Sequence, residues 1–167
     1  MDTQIQIEPT PLEVIYEHAR EAFPDECCGF LYGDEKNGRR ISVAQRVDNA
    51  KEGDQRRRFE ISPLDYLRAE RYALERGLDL LGIYHSHPQH PAIASAHDLE
   101  KALPFFSYVI VSVMDGAIDA IQSWKLQSQT RAFAEEEVIL PTDYTTATPP
   151  TNGGPLENSP GGRPSHI

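Results

Sequence analysis

The chain has 167 residues, a length that suits one domain with its own buried core. Its 26 acidic against 16 basic side chains, a formal net charge of -10, exclude a general nucleic-acid binder, because phosphates must be met by a basic face. The opening MDTQIQIEPT has neither a basic start nor an apolar run, and no stretch is long enough to span a bilayer, so the sequence predicts a soluble, cytoplasmic protein without signal peptide or membrane partner.

In chain order, Thr10 and Pro11 read as an N-cap and first helical residue, and Leu12, Ile15, Tyr16 and Ala19 recur at helical spacing up to about Ala22, before Pro24. CCGFLYG is a buried strand, and RRISVAQRV is its neighbour across the turn DEKNG. A loop carrying KEGDQRRR leads to FEIS, a short strand. Ser62 and Pro63 open a second helix, with Leu64, Leu67, Tyr72 and Leu74 as apolar positions and Gly77 as its stop.

LDLLGIYHSHP is a central strand that runs into HSHPQHPAIASAHD, and Ser95 starts a short helix ending near Pro104. FSYVIVSV and AIDAIQSWKL are two strands joined by a tight turn at MDG. RAFAEEEVIL supplies a last, partly exposed edge strand. Beyond Pro141 the residues are Thr, Pro, Gly and Asn with few apolar neighbours, a composition that predicts a disordered tail over 141–167 and a folded unit over 1–140. The order predicts an α/β domain with a mixed sheet flanked by helices.

The segment from His85 to Asp98 carries the chemistry. A strand repeats with period two, so His85 and His87 share a face, the one expected to hold Leu81 and Ile83. Pro88 redirects the chain, and the following loop is long enough to bring Asp98 back as a third, anionic group. Two neutral imidazoles and a carboxylate suit Zn²⁺, with a fourth position left for water. Such a cation acidifies water and polarises a carbonyl. Two readings compete with this one, a surface histidine cluster and a structural turn in which Ser95 and Asp98 satisfy S-x-x-D, a capping box that needs no metal.

His90 and His97 are further candidates, for the loop or a substrate-facing place and for a place behind the ligands or on the surface. His18 is expected on the polar face of the first helix. Hydrolysis also needs a proton carrier. Glu26 stands directly before the apolar CCGFLYG, where a carboxylate is not needed for solubility, and is read either as that carrier or as a solvated residue after Pro24. Cys27 and Cys28, the two cysteines, are adjacent and cannot bridge without strain. Neither has a histidine at a telling spacing for a thiolate nucleophile. The Ser95 hydroxyl is placed either to cap its helix or to face a developing oxyanion. Arg56, Arg57 and Arg58 form the strong basic cluster, read either as an anchor for a carboxylate or as a solvated loop.

Together these residues resemble the JAMM (MPN+) metalloprotease family. Its pattern, a distant Glu followed by H-[ST]-H-P-x6-S-x2-D, is met by Glu26, His85-Ser86-His87-Pro88, Ser95 and Asp98, and ECCGFLYG resembles the family's E-x-C-G strand. The departure is Ala94, where relatives often carry proline. The resemblance spans about Leu12 to Lys125 and implies a single MPN-like domain with one Zn²⁺ held by His85, His87 and Asp98. It further implies Glu26 as general base on the zinc-activated water, Ser95 as support for the tetrahedral intermediate, and Cys28 and Gly29 packing the strand against the site. The implied activity is hydrolysis of an amide or isopeptide bond after the C-terminal Gly-Gly of a ubiquitin-like or sulfur-carrier protein, whose thin tail would pair with a sheet edge. A homodimer is compatible with this reading. The alternative is a non-catalytic metal-binding or interaction module of the same fold. A zinc nucleobase deaminase is excluded, because no P-C-x-x-C follows Cys28.

Overall fold

The computed structural model describes residues 3–144. Seven strands and three helices follow in the order β1 (Gln4–Ile7), α1 (Pro9–Ala22), β2 (Cys28–Asp34), β3 (Arg39–Val47), α2 (Pro63–Arg76), β4 (Asp79–Pro88), α3 (Ala96–Glu100), β5 (Ser107–Met114), β6 (Ala117–Gln127) and β7 (Ala132–Ile139). The mixed sheet curls until it closes, in the order β1-β3-β2-β4-β5-β6-β7. Parallel pairing joins β4 to β5 and β1 to both β3 and β7, and the remaining pairs are antiparallel. No described helix is long and apolar enough to cross a membrane.

Closure corrects two expectations. QIQI, which has only two apolar residues and no turn signal, becomes β1 because it pairs with strands from both ends of the chain. β7 is therefore not an edge strand, since Gln4–Gln6 lie against Glu137–Ile139. Over that stretch a pairing sheet edge for an incoming tail is already taken.

Leu12, Ile15 and Ala19 of α1 are buried against β-strand residues such as Ile5, Ile41, Val109 and Val111. Each large side chain so buried contributes about 1.5–3 kcal/mol. The helix begins at Pro9 after Glu8, one turn-step before the expected cap at Thr10, because β1 delivers the chain straight into it.

The second cluster lies under α2. Ser62 accepts from the Asp65 N–H at 3.1 Å, and Gly77 closes the helix in the left-handed region at φ 63°. The leucines do not face inward as expected: Leu64, Leu67 and Leu74 are 53, 58 and 84 % exposed. Ala69 and Ala73 face the sheet instead. The reason is space, because rings fill the interface: Phe30 meets Tyr66 at 5.3 Å and Tyr32 meets Tyr72 at 4.8 Å between centroids.

FEIS does not form a strand. The loop from Asp48 to Ile61 is held by side chains instead. Asn49 Oδ1 accepts the N–H groups of Lys51 and Glu60, both at 3.0 Å, and Gln55 Nε2 donates to the carbonyls of Asn49 and Lys51. At the other end, Tyr144 donates its hydroxyl to Glu13 at 2.6 Å and packs on the first core cluster, so the expected tail begins with docked residues. Residues 145–167 of that tail lie outside the described residues.

Candidate metal centre

The antiparallel register of β2 on β4 sets Cys28 against His85. The start of β2 therefore lies beside the end of β4, and Glu26, two residues earlier, is brought to His87. Ser86 locks this register. Its N–H donates to the Cys27 carbonyl at 3.1 Å, and its hydroxyl accepts the Cys27 N–H at 2.9 Å. Gly29 is required here, since a Cβ would stand 2.2 Å from the Gln45 carbonyl oxygen and 2.3 Å from the Tyr84 ring.

His85 and Ile83 share a face, as period two requires, but Leu81 does not. The register of β4 on β2 slips between Gly82 and Leu80, and this bulge turns Leu81 into the first core cluster.

Four buried groups meet at the mouth of the strands. His85 Nε2 and His87 Nε2 are 3.1 Å apart. Asp98 places Oδ1 3.4 Å from the first and Oδ2 3.4 Å from the second. Glu26 Oε1 stands 3.9 Å from His87 Nε2, and Glu26, His85 and His87 offer ligand atoms all within 4.8 Å of one another. Corners of a tetrahedron drawn about a zinc ion at ~2.0–2.1 Å lie about 3.3–3.4 Å apart. The imidazole nitrogens, 3.1 Å apart and each 3.4 Å from one Asp98 oxygen, come close to this spacing, and with Glu26 they make a buried donor set of nitrogen and oxygen that suits such a metal.

The tautomer of His87 suits the same purpose. Its Nδ1 is 2.8 Å from the Pro91 carbonyl, an acceptor, so Nδ1 carries the proton and Nε2 presents a lone pair. His85 has no such partner at Nδ1, and Phe59 stacks on its ring at 4.4 Å.

Burial sets the protonation states. It lowers the pKa of His85, keeping the ring neutral. For His87 burial acts the same way, but hydrogen bonds to Asp98 and the Pro91 carbonyl outweigh it and raise the pKa. Burial would raise Asp98, yet the two imidazoles hold its carboxyl far below the usual range. In Glu26 burial prevails, opposed by His87 and assisted by the charge of Asp98, and the carboxyl is pushed up to about 8. Its Oε2 has no hydrogen-bond partner. Its backbone is held on both sides, with the N–H donating to the Gln55 carbonyl at 2.7 Å and the carbonyl accepting from Asn49 Nδ2 at 3.3 Å.

The capping box of Ser95 and Asp98 is present, and the same Asp98 carboxylate faces both imidazoles. Asp98 Oδ2 accepts the Ser95 N–H at 2.8 Å, and Ser95 Oγ accepts the Asp98 N–H at 3.1 Å. The cap fixes the carboxylate that faces the imidazoles. Because Ser95 Oγ acts as acceptor there, its proton stays available for donation.

Two cavities flank the cluster, and a third, of about 190 Å³, reaches Glu26 from the side of His18, Asn49 and Gln55. One, of about 580 Å³, is lined mainly by apolar groups, Phe59, Ile61, Tyr66, Ile83 and Tyr108 among them, and reaches His85 and Asp98. His97 lines it with a buried Nε2 that has no partner. The other, of about 650 Å³, is bounded by Glu26, His87 and Ser95 on one side and by Arg56, Arg57 and His90. The intervening loop is fastened by Ser112 and Trp124, which donate to the carbonyls of His90 and Ala92.

Sequence reasoning did not find these anchors, nor Asn49 and Gln55, and it placed Ser86 in the motif without its role, because each acts across strands that only the fold brings together. His18 is not simply on a polar face. It is half-buried with Nδ1 2.8 Å from the Tyr84 hydroxyl, and burial lowers its pKa to about 4. Both thiols are buried, and burial pushes Cys27 up to about 11 and Cys28 higher, which agrees with inert cysteines.

Residues 11–127 match the family model described as prokaryotic homologs of the JAB domain. A desampylase of Haloferax volcanii is 35% identical over 111 residues, 64% of this chain and 78% of that protein. A probable TtuB-protein conjugate cleaving protease of Thermus thermophilus is 53% identical over 49 residues, 29% of this chain and 32% of that one. The solution structure of a protein from Desulfitobacterium hafniense superposes with a TM-score of 0.71 at 29% identity, covering 82% of this chain and 92% of that chain. With the family model spanning most of its length, the chain belongs to the prokaryotic JAB-domain family, and the fold is that of a JAB/MPN (JAMM) domain.

Proposed function

We propose that the chain is a zinc-dependent JAMM-type peptidase that hydrolyses an amide or isopeptide bond after the C-terminal Gly-Gly of a ubiquitin-like or sulfur-carrier protein, with residues 1–140 as the peptidase domain. The observation that carries this reading is the buried convergence of two neutral-capable imidazoles with two carboxylates, only one of which is fixed against both rings. A storage or structural site has no use for a second, orphaned carboxylate beside the ligands. The named relatives, a desampylase and a conjugate-cleaving protease, support the same substrate class.

His85, His87 and Asp98 would hold the metal, which when bound supplies Lewis acidity to water and to the scissile carbonyl. A cation beside Glu26 favours its ionised form, which suits it to accept a proton from the attacking water. Its burial, and the absence of a hydrogen bond at Oε2, leave that proton free to pass to the leaving nitrogen. Ser95, with an unused hydroxyl proton, donates to the oxyanion that develops on the glycyl carbonyl. The Pro91 carbonyl orients His87 throughout.

The test is mass spectrometry of a ubiquitin-like carrier extended past Gly-Gly, incubated with the zinc-loaded protein and with its Glu26→Ala variant. Cleavage directly after the diglycine by the first alone is expected. An intact carrier in both, with one metal bound per chain, would replace the peptidase reading by a binding module.

A further inference from the structure

Three consecutive carbonyls in the loop after β4 are each held by a side chain. The chain turns back at Gln89, which lies in the left-handed region at φ 60°. Its N–H donates to the Val113 carbonyl at 2.7 Å, and its side-chain amide donates to Asp115 Oδ1 and accepts the Asp115 N–H, both at 2.8 Å. Beyond this clasp the His90 carbonyl accepts from Ser112 Oγ at 2.5 Å, the Pro91 carbonyl from His87 Nδ1 at 2.8 Å, and the Ala92 carbonyl from Trp124 Nε1 at 3.0 Å. The middle carbonyl sets the tautomer of His87, and the outer two are held from β5 and β6.

Pro91 has little with which to hold its own carbonyl in place. It has no N–H, and its ring fixes only φ. The peptide plane that carries its carbonyl is set by ψ of Pro91 and φ of Ala92, both soft dihedrals. Pinning the planes on either side leaves the middle one little freedom. Ser112 pairs with His87 in the parallel register of β4 and β5, and it is fully buried, so its hydroxyl needs a partner inside the protein. Trp124, the one tryptophan of the sequence, reaches the same loop from β6.

We propose that Ser112 and Trp124 are positioning residues of the metal centre: by holding the carbonyls on either side of Pro91 they keep the Pro91 carbonyl on His87 Nδ1 and so commit His87 Nε2 to the metal. This rests on the reading of His87 as a ligand. A neutral imidazole has one nitrogen lone pair in its plane, and that pair faces the ion only when the proton sits on the other nitrogen. A Pro91 carbonyl that swings away lets the proton move to Nε2, where it blocks the ligand position, and frees the ring to rotate. Both residues act through His87 and not on the substrate.

The experiment compares zinc affinity, by competition with a chromophoric chelator, in the wild type, Ser112→Ala, Trp124→Phe and the double variant. Because the chain has one tryptophan, a further form replaces it with 3-benzothienylalanine, which keeps the bicyclic shape and carries sulfur in place of the N–H. Loss of a partner of a ligating histidine costs about 10–100-fold in metal affinity. These residues act one step further out, so each single change is expected to cost about three- to tenfold and the double variant about 10–100-fold. In imidazole proton–nitrogen NMR spectra of the zinc-loaded protein, the His87 Nδ1–H should exchange with water about tenfold faster in each variant.

Ser123→Ala is the control. It removes another fully buried hydroxyl of the sheet, bonded to Glu136 at 2.6 Å and not to the loop, and should lower Tm with both readouts at their wild-type values. Wild-type affinity and exchange in the double variant and the benzothienyl form would overturn the positioning role. Equal losses in Ser123→Ala would overturn it too, by showing that they follow general destabilisation. Neither readout needs turnover, so the two readings fail separately. Weaker zinc binding in the variants, with the carrier left intact by the wild type, overturns the peptidase reading alone; cleavage by the wild type with equal affinities overturns the positioning role alone.

Discussion

Replacing Glu26 by glutamine is expected to stabilise the metal-stripped protein while abolishing hydrolysis. The carboxyl is 5 % exposed, and burial raises its pKa from 4.5 to about 8. The folded state therefore holds the proton more tightly than the unfolded chain. Stability from this group is complete below about pH 4.5 and is lost as pH rises to about 8. At pH 7 the gap of about 2.5 pH units corresponds to ~3 kcal/mol of lost stability. Glutamine has nearly the same shape and no proton to lose, so the variant escapes this cost. For a domain of this size ~3 kcal/mol is about 6–12 °C in Tm. The assay is thermal unfolding in a chelator at pH 4.5, 6, 7 and 8. The two proteins should melt together at pH 4.5 and diverge as pH rises, the variant being the more stable. Removal of the base should lower kcat of the zinc-loaded form by about 10²–10⁴. A variant no more stable than the wild type at pH 7, or a difference that ignores pH, would refute the buried-carboxyl argument.

Other substitutions separate the remaining roles. His87→Ala should lower metal affinity more than about a hundredfold by titration with a chromophoric chelator, because both a donor and its oriented lone pair are lost. Asn49→Ala removes two donations, to the carbonyls of Glu26 and Arg58, and two acceptances, from Lys51 and Glu60. Much of that loop is open to water, so about 2 kcal/mol should be lost, read as a fall in Tm of about 4–8 °C, with a lower kcat at unchanged metal content. His18, with a pKa depressed to about 4 by burial, stays neutral in the fold while the unfolded chain protonates near 6.5. Stability should therefore fall as pH drops from about 6.5 toward 4, by on the order of 1 kcal/mol given its half-exposed ring. His18→Gln should flatten that part of the curve in pH-dependent denaturation.

The site was legible in the sequence to the extent that its residues act locally. His85 and His87 follow from strand period, and the Ser95–Asp98 box from helix capping, and both survive in the fold. Glu26 is different. What raises it above a solvated acid is the pairing of β2 with β4 and its attachment to Asn49 and Gln55, contacts made across strands and a loop. The same limit explains the fold. Ser62 and Gly77 bound α2 by local chemistry, but which face of that helix is buried depends on the rings of Phe30 and Tyr32 beneath it. Period two fails at Leu81 because a bulge is a property of two strands, and β1 is invisible alone because its strand character comes from β3 and β7.

The seam between β1 and β7 also orders events in time. Gln4 bonds to Glu137 across nearly the whole described chain, so the ring cannot shut during synthesis until β7 has left the ribosome. The residues of the candidate metal centre, from Glu26 to Asp98, belong to the stretch made earlier, just before β2, on β4 and in the segment that follows. A nascent chain can therefore align its imidazoles and Glu26 on a half-built sheet, with β1 still waiting for its second neighbour.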